Sequence, residues 1–376
     1  MPRLSTKLAS LDRHLAALIG LAVAQGIAIC ICVPSAETFL ESLHVGKVNV
    51  PIAVGLVAMM YPSMCAVRYE SLATLVNNAP LLRLALFHHW LSGPFIMFSL
   101  AVLFLRHQPE YMAGLILIGL ARGIGGVATW NKLAEGDEPL ASGLAALNVV
   151  MQLAFYPLYA WFFIAVLPPM IGVEGSSADT TISQFAVCTS LYLGVPLAAG
   201  LLTRVVVIRL AGKAWYESTL LPRLMPLKTV SMLVTLVLIF SLKTDELLAL
   251  PWQVLLIAVP LLLYYVAMFA ISFYWNCKRG TSYARTATMA LSAAGNNFEL
   301  AIAIGVAVYG IDSAEAFTTV VAPFIEAPVM LAFVAAAWYF NRRLFARPEG
   351  AHMLPHHLSH LGQSKLDRKP ARTPVR

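Results

Sequence analysis

The chain reads as an all-α membrane protein of ten transmembrane helices, arranged as two inverted five-helix repeats with helices 4 and 9 broken and crossing near the midplane. Three observations predict this. Hydrophobic residues make up 59% of the 376 positions and charged residues only 12%, whereas soluble domains carry about a quarter charged residues. The apolar sequence divides at charged or Gly/Pro-rich points into ten runs, each near the roughly 20 residues that cross a bilayer. The two halves of the chain also correspond at an offset of 170 residues, the mark of an internal repeat.

The spans fall at about 15–33, 48–67, 85–105, 111–130, 143–167, 182–202, 226–242, 252–275, 286–309 and 316–340. The first follows the charged residues Arg3, Lys7 and Arg13 and has no small-residue cleavage site, so it reads as a span and not as a signal peptide. Arg68 and Arg83 punctuate the passage from the second to the third, and Arg106 closes the third. The fourth contains Arg122 and Gly123-Ile124-Gly125-Gly126, and the fifth contains Asn148. Arg204, Arg209, Lys213, Arg223 and Lys228 read as the loop between the sixth and seventh. Lys278, Arg279 and Arg285 follow the eighth, and the ninth and tenth carry Glu299 and Glu326.

Basic residues are retained on the cytoplasmic side of membranes. With the N-terminus inside, 22 of the 26 Lys and Arg residues are cytoplasmic, against Lys47, Arg106 and Lys243 outside and Arg122 within a span. Both termini are therefore predicted to be cytoplasmic. The formal charge of +7 follows from this bias and from contact with anionic lipid, and implies no nucleic acid. The domain organisation is a cytoplasmic N-terminus at 1–14, a ten-helix domain at 15–343 with repeats at about 15–170 and 182–340, and a basic tail at 344–376. The tail holds His352, His356, His357 and His360 among prolines and charges; it has little to bury and is predicted to be disordered, with no metal site assigned. The five cysteines, Cys30, Cys32, Cys65, Cys188 and Cys277, lack zinc or disulfide spacing and read as small packed hydrophobes.

Gly123 to Gly126 in span 4 lie 170 residues before Ala293-Ala294-Gly295-Asn296 in span 9, and Phe155-Tyr156-Pro157 correspond closely to Ile325-Glu326-Ala327-Pro328. Five spans followed by five reverse orientation, so the repeats are inverted, the arrangement many secondary transporters use. The segment Gly295-Asn296-Asn297-Phe298-Glu299 places two amides and a carboxylate inside an apolar run. Unpaired polar groups cost several kcal/mol in hydrocarbon, on the order of 2.5 kcal/mol or more for a charge, so such a segment faces protein, water or substrate. Glu299 is the natural proton carrier, since a carboxylic acid in an apolar cavity can exchange a proton near neutral pH. A structural ion pair with Arg122 across the two breaks is the rival reading. Glu326, just before Pro328, is placed to support the site. Asn148 reads equally as substrate contact or as interhelical glue, and Trp90 and Trp130 read as interface anchors.

Several motifs in order resemble one family: Met59-Met60-Tyr61-Pro62, Val67-Arg68-Tyr69-Glu70, Ala121-Arg122, Trp130-Asn131-Lys132-Leu133-Ala134-Glu135-Gly136-Asp137, Ala145-Ala146-Leu147-Asn148, Gly295 to Ala301, and Pro323 to Val329. Over 11–343 the chain resembles the arsenical-resistance permeases, ten-span arsenite exporters of the bile acid, arsenite and riboflavin transporter superfamily. The resemblance implies export of trivalent arsenite, and possibly antimonite, from the cytoplasm in exchange for protons. It implies a multi-pass plasma-membrane location, no enzymatic activity and no cofactor, with a metalloid, protons and lipid as partners. Carried over by position, Glu299 is the proton-coupling residue. Arg122, Gly123, Trp130, Asn148, Asn296, Asn297, Phe298 and Glu326 form the substrate-binding set.

Two positions depart from the family pattern. Gly123 stands where a cysteine is the expected soft ligand for As(III), and His89 stands where an amide precedes Trp90. Three readings follow from the lost thiol: hydrogen-bonded recognition of the neutral hydroxide, room for a methylated or organic arsenical, or replacement by Cys65 or Cys188. A sodium-coupled organic anion transporter of the same superfamily is a further alternative, and a sensor without transport is another.

Overall fold

The computed structural model describes residues 15–45, 48–176, 180–242 and 251–345. Arg3, Lys7, Arg13, Lys47 and Lys243, the predicted N-terminal segment and the histidines of the tail lie outside the described residues. The described residues are mainly helical, with one two-residue antiparallel pairing of His44–Val45 with Val48–Asn49.

The helices, in order, are α1 (Leu15–Cys32), α2 (Val50–Ala66), α3 (Ala79–Leu105), α4 (Pro109–Leu120), α5 (Gly125–Leu133), α6 (Glu138–Met170), α7 (Ile182–Ala211), α8 (Lys213–Ser241), α9 (Pro251–Lys278), α10 (Tyr283–Ala294), α11 (Phe298–Tyr309) and α12 (Ala314–Phe345). Short helices Pro34–Glu41 and Ser71–Val76 lie in the connections. Six of the helices are long and apolar enough to cross a membrane, and α1, α2, α4 and α11 are shorter apolar helices. The molecule is thus a multi-pass membrane protein.

Local sequence explains where the helices start. Asn49, Asn78 and Asp137 each accept a hydrogen bond from a backbone amide of the first turn, with a proline in that turn. These are polar caps combined with a residue that lacks the amide the helix could not use. Thr181 and Gln184 form a reciprocal capping box at the start of α7. Within the long helices, π-helical turns at Phe87–Ser92, Phe162–Val166, Ser190–Gly194 and Tyr216–Leu220 each precede a proline, at 94, 168, 196 and 222. Proline removes one amide donor and crowds the carbonyl four residues back, and a wider turn accommodates both. The Trp90 carbonyl, four residues before Pro94, accepts instead from the Tyr159 hydroxyl at 3.0 Å.

Large apolar side chains such as Leu103, Leu202, Leu210 and Trp252 remain exposed around the outside, as expected of surfaces that meet lipid. The centre is occupied by the short helices. From Met112 to Leu120 every residue of α4 is buried, as is every residue of α10 from Thr286 to Ala294. A helix apolar on all sides packs in the interior, and the small residues of α10 let its neighbours approach closely. Gly114 of α4 is one such contact: a Cβ there would lie 2.6 Å from the Glu315 carbonyl oxygen of α12.

The sequence reading differs from the structure where it ended spans at charges. The passage between the sixth and seventh predicted spans is only Gly212, at φ +84°. Arg204 and Arg209 lie inside α7, and Arg223 and Lys228 inside α8. Hydrogen bonding continues the helix through these positions regardless of side-chain charge. Trp90 and Trp130 are both buried, packed between helices and not facing outward as interface anchors would; the exposed indoles are Trp215, Trp252, Trp275 and Trp338.

Candidate functional site: two broken helices bonded to each other

The predicted breaks are present. Between α4 and α5 the chain is non-helical from Ala121 to Ile124, and between α10 and α11 from Gly295 to Asn297. The two segments pair with each other as a short antiparallel bridge centred on Arg122 and Asn296. The Gly123 amide donates to the Gly295 carbonyl at 3.1 Å, and the Asn297 amide donates to the Ala121 carbonyl at 2.8 Å. Each break thereby satisfies backbone groups that the other helix interruption leaves open, which an apolar interior requires.

Glycine at 123 is a steric requirement of this crossing. A Cβ there would lie 2.9 Å from the Gly295 oxygen and 3.1 Å from its carbonyl carbon. Glycine therefore lets the two segments approach backbone to backbone.

Side chains from four further helices close around the bridge. Arg122 is fully buried and donates to Asn296 Oδ1 and to the Tyr264 hydroxyl of α9. Its guanidinium carbon lies 5.7 Å from the Tyr264 ring centroid. The Arg122 and Asn148 carbonyls both accept from Gln152 Nε2 of α6, each at 3.0 Å. Asn297 Nδ2 reaches Gln152 Oε1 at 3.5 Å, and Asn297 Oδ1 caps α11 by accepting from the Leu300 amide at 3.2 Å. Asn148 donates to the Gly123 carbonyl at 2.9 Å, and its Oδ1 lies 3.0 Å from His89 Nδ1 in the first π-helical turn. Both positions that depart from the family pattern, 89 and 123, therefore meet on Asn148.

Glu326 of α12 holds the second break. One oxygen accepts from the Asn296 amide at 3.2 Å and the other from the Tyr265 hydroxyl at 3.0 Å. Glu299 is buried in the first turn of α11, where the helix N-terminus favours a negative charge. Its partner is Lys228, with Nζ 2.6 Å from Oε1. The pair considered between Arg122 and Glu299 is not the one formed, because Arg122 is directed to Asn296 and Tyr264.

Of the predicted set, Arg122, Gly123, Asn148, Asn296, Asn297 and Glu326 meet at the bridge. Glu299 and Phe298 follow it in the first turn of α11, with Phe298 partly buried against the apolar core. Trp130 sits farther along α5 with its indole nitrogen against Gly126. Cys65 lies apart, in the contact of α2 with α7 and α8, where the Tyr216 hydroxyl donates to its carbonyl at 2.9 Å. Sequence reading missed Gln152, Tyr264, Tyr265 and Lys228. Gln152 is one turn from Asn148 and so on the same helix face, a usable signal; the tyrosines stand in a uniformly apolar span that gives none.

Two interrupted helices bonded through buried arginine, amide and carboxylate groups inside a multi-helix membrane protein are the arrangement that many secondary transporters share. The model of the sodium bile acid symporter family matches residues 53–250. The chain is 37% identical to the arsenical-resistance protein Acr3 of Corynebacterium glutamicum, covering 90% of this chain and 92% of that protein. It is 31% identical to the uncharacterized transporter slr0944 of Synechocystis, over 88% and 90% of the two chains. It is 26% identical to the Acr3 protein of Alkaliphilus metalliredigens, over 86% and 91%. The chain belongs to the arsenical-resistance permeases within the sodium bile acid symporter family.

Proposed function

We propose that the protein exports trivalent arsenite from the cytoplasm in exchange for protons, as a plasma-membrane carrier of ten spans in two inverted five-helix repeats with both termini cytoplasmic. The observation that carries this reading is the mutual bonding of the two breaks beside the buried Glu299. In this reading the α4–α5 and α10–α11 pairs are spans 4 and 9, and rocking one repeat against the other about the crossing alternates access.

The substrate is the neutral hydroxide of arsenic, held by hydrogen bonds and not by a thiolate. Asn148, Asn296, Asn297, Arg122 and Glu326 offer both donors and acceptors, Phe298 and Trp130 supply apolar walls, and Gly123 lets the two segments meet. Glu299 releases its proton to the cytoplasm when substrate is taken up and is reprotonated from outside after substrate leaves, so one site serves substrate and proton in turn. The filled space at Gly123 removes the steric ground for a bulkier arsenical.

The test is expression in an arsenite-sensitive, exporter-deficient cell. Wild type restores growth on arsenite and Glu299→Gln does not; failure of wild type on arsenite, antimonite and methylarsenite alike overturns the proposal. The family model carries the name of sodium symporters, so sodium coupling is the second reading. Everted vesicles separate the two, because uptake that follows a sodium gradient and ignores a pH gradient sinks proton exchange.

A further inference from the structure

Lys228 reads as a loop residue in the sequence, yet α8 carries it into the bundle. Its Nζ lies 2.6 Å from Glu299, with the lysine side chain 21% exposed and the glutamate 6%. The ammonium also lies beside the start of α5. Gly125, the first residue of α5, presents bare backbone to it: a Cβ there would lie 2.9 Å from Lys228 Nζ and would also collide with Ser63 Oγ of α2. Lys228 of α8 is therefore paired with α11 through Glu299 and occupies the space that a side chain at Gly125 of α5 would need.

The groups around Glu299 leave this ammonium as its counter-ion. Among the elements packed against α11, α12 supplies Glu326, whose oxygens accept from Asn296 and Tyr265. From α2 comes the uncharged Ser63, and the Tyr61 hydroxyl of α2 bonds Thr203 at 2.8 Å. The titratable groups of α7 along this contact are Cys188 and Tyr192, which pack in the apolar core, while α4 carries Glu110 and Tyr111 only in its first turn. Arg122 is bonded to Asn296 and Tyr264.

We propose that Lys228 is a positioning residue for proton coupling: it neutralises the Glu299 carboxylate while substrate is bound, and a proton arriving on Glu299 releases it, loosening the link between α8 and α11. This rests on the reading of Glu299 as the proton carrier. The step is a single protonation: the carboxylate gains a proton from water on the outward side, the ammonium keeps all of its protons, and the ion pair opens. Removing the lysine leaves the buried carboxylate without its counter-charge.

The test compares wild type, Lys228→Met and Lys228→Arg in arsenite-loaded proteoliposomes, with efflux measured against pH. Lys228→Met is expected to move the acid limb of the profile toward alkaline pH, while Lys228→Arg leaves its position unchanged whatever its rate. An unmoved limb in Lys228→Met, or equal movement in both variants, overturns the proposal. Thermal unfolding of the purified chain from acid to alkaline pH reads the same pair without substrate, and so separates this inference from the arsenite assignment. Relative to wild type, Lys228→Met should gain stability on acidification, and that difference should vanish in a Glu299→Gln background. Parallel curves for wild type and Lys228→Met would overturn the proposal even if arsenite is transported.

Discussion

The Gly123 amide and the Gly295 carbonyl are bonded at 3.1 Å, so the two interrupted helices meet backbone to backbone with no side chain between them. The same contact dictates what position 123 tolerates. A Cβ would sit 2.9 Å from the Gly295 oxygen, whereas at Gly126 the nearest atom would be the movable Trp130 indole at 3.3 Å. Gly123→Ala and Gly123→Cys are expected to lower stability by about 1–3 kcal/mol, as overpacking does, and Gly126→Ala by less. Thermal unfolding in detergent checks the order. A cysteine at 123 in this chain should therefore weaken the crossing before it adds a ligand.

Asn148 ties the first break to His89. Asn148→Ala leaves the Gly123 carbonyl and His89 Nδ1 without the partners seen at 2.9 Å and 3.0 Å, at a cost of about 1–3 kcal/mol for a buried unsatisfied group. A double-mutant cycle with His89→Ala should show coupling of about 0.5–3 kcal/mol. Additive effects would place the two residues in separate roles.

Glu326 is bonded at both oxygens, to the Asn296 amide and the Tyr265 hydroxyl. Glu326→Gln retains an acceptor for the amide, while Glu326→Ala removes both contacts. If the residue serves to hold the second break, the glutamine variant keeps most of the unfolding temperature and the alanine variant loses about 2 kcal/mol or more. Equal loss of arsenite transport in two equally stable variants would instead give the carboxylate a direct role with substrate.

Just before the short helix Ser71–Val76, Glu70 receives two bonds from the buried Arg204, at 3.0 and 3.1 Å. Burial raises the Glu70 carboxyl, but its own backbone amide and Arg204 outweigh this and leave it below the ordinary glutamate value. The folded value is depressed, so the contribution is present above the unfolded value and is lost as pH falls through the folded one. Glu70→Gln should be less stable than wild type at neutral pH, and the gap should close as pH falls below about 4. A gap independent of pH would remove the charge from the explanation.

The helical, multi-pass character was legible in the sequence, because apolar run length reports directly on bilayer thickness. Both helix interruptions were visible for the same reason: glycine and amides inside apolar runs break a pattern that hydrocarbon enforces. Pairing was not legible. Whether Glu299 faces Arg122 or Lys228 depends on how α8 and α11 rotate against each other, and a charge in a linear sequence looks the same at the end of a helix as on its buried face. Likewise the sequence showed that Gly123 lacks a thiol, but only the packed structure decided that the vacant side-chain space belongs to the Gly295 carbonyl, because backbone approach is set by the tertiary crossing and not by residue identity alone.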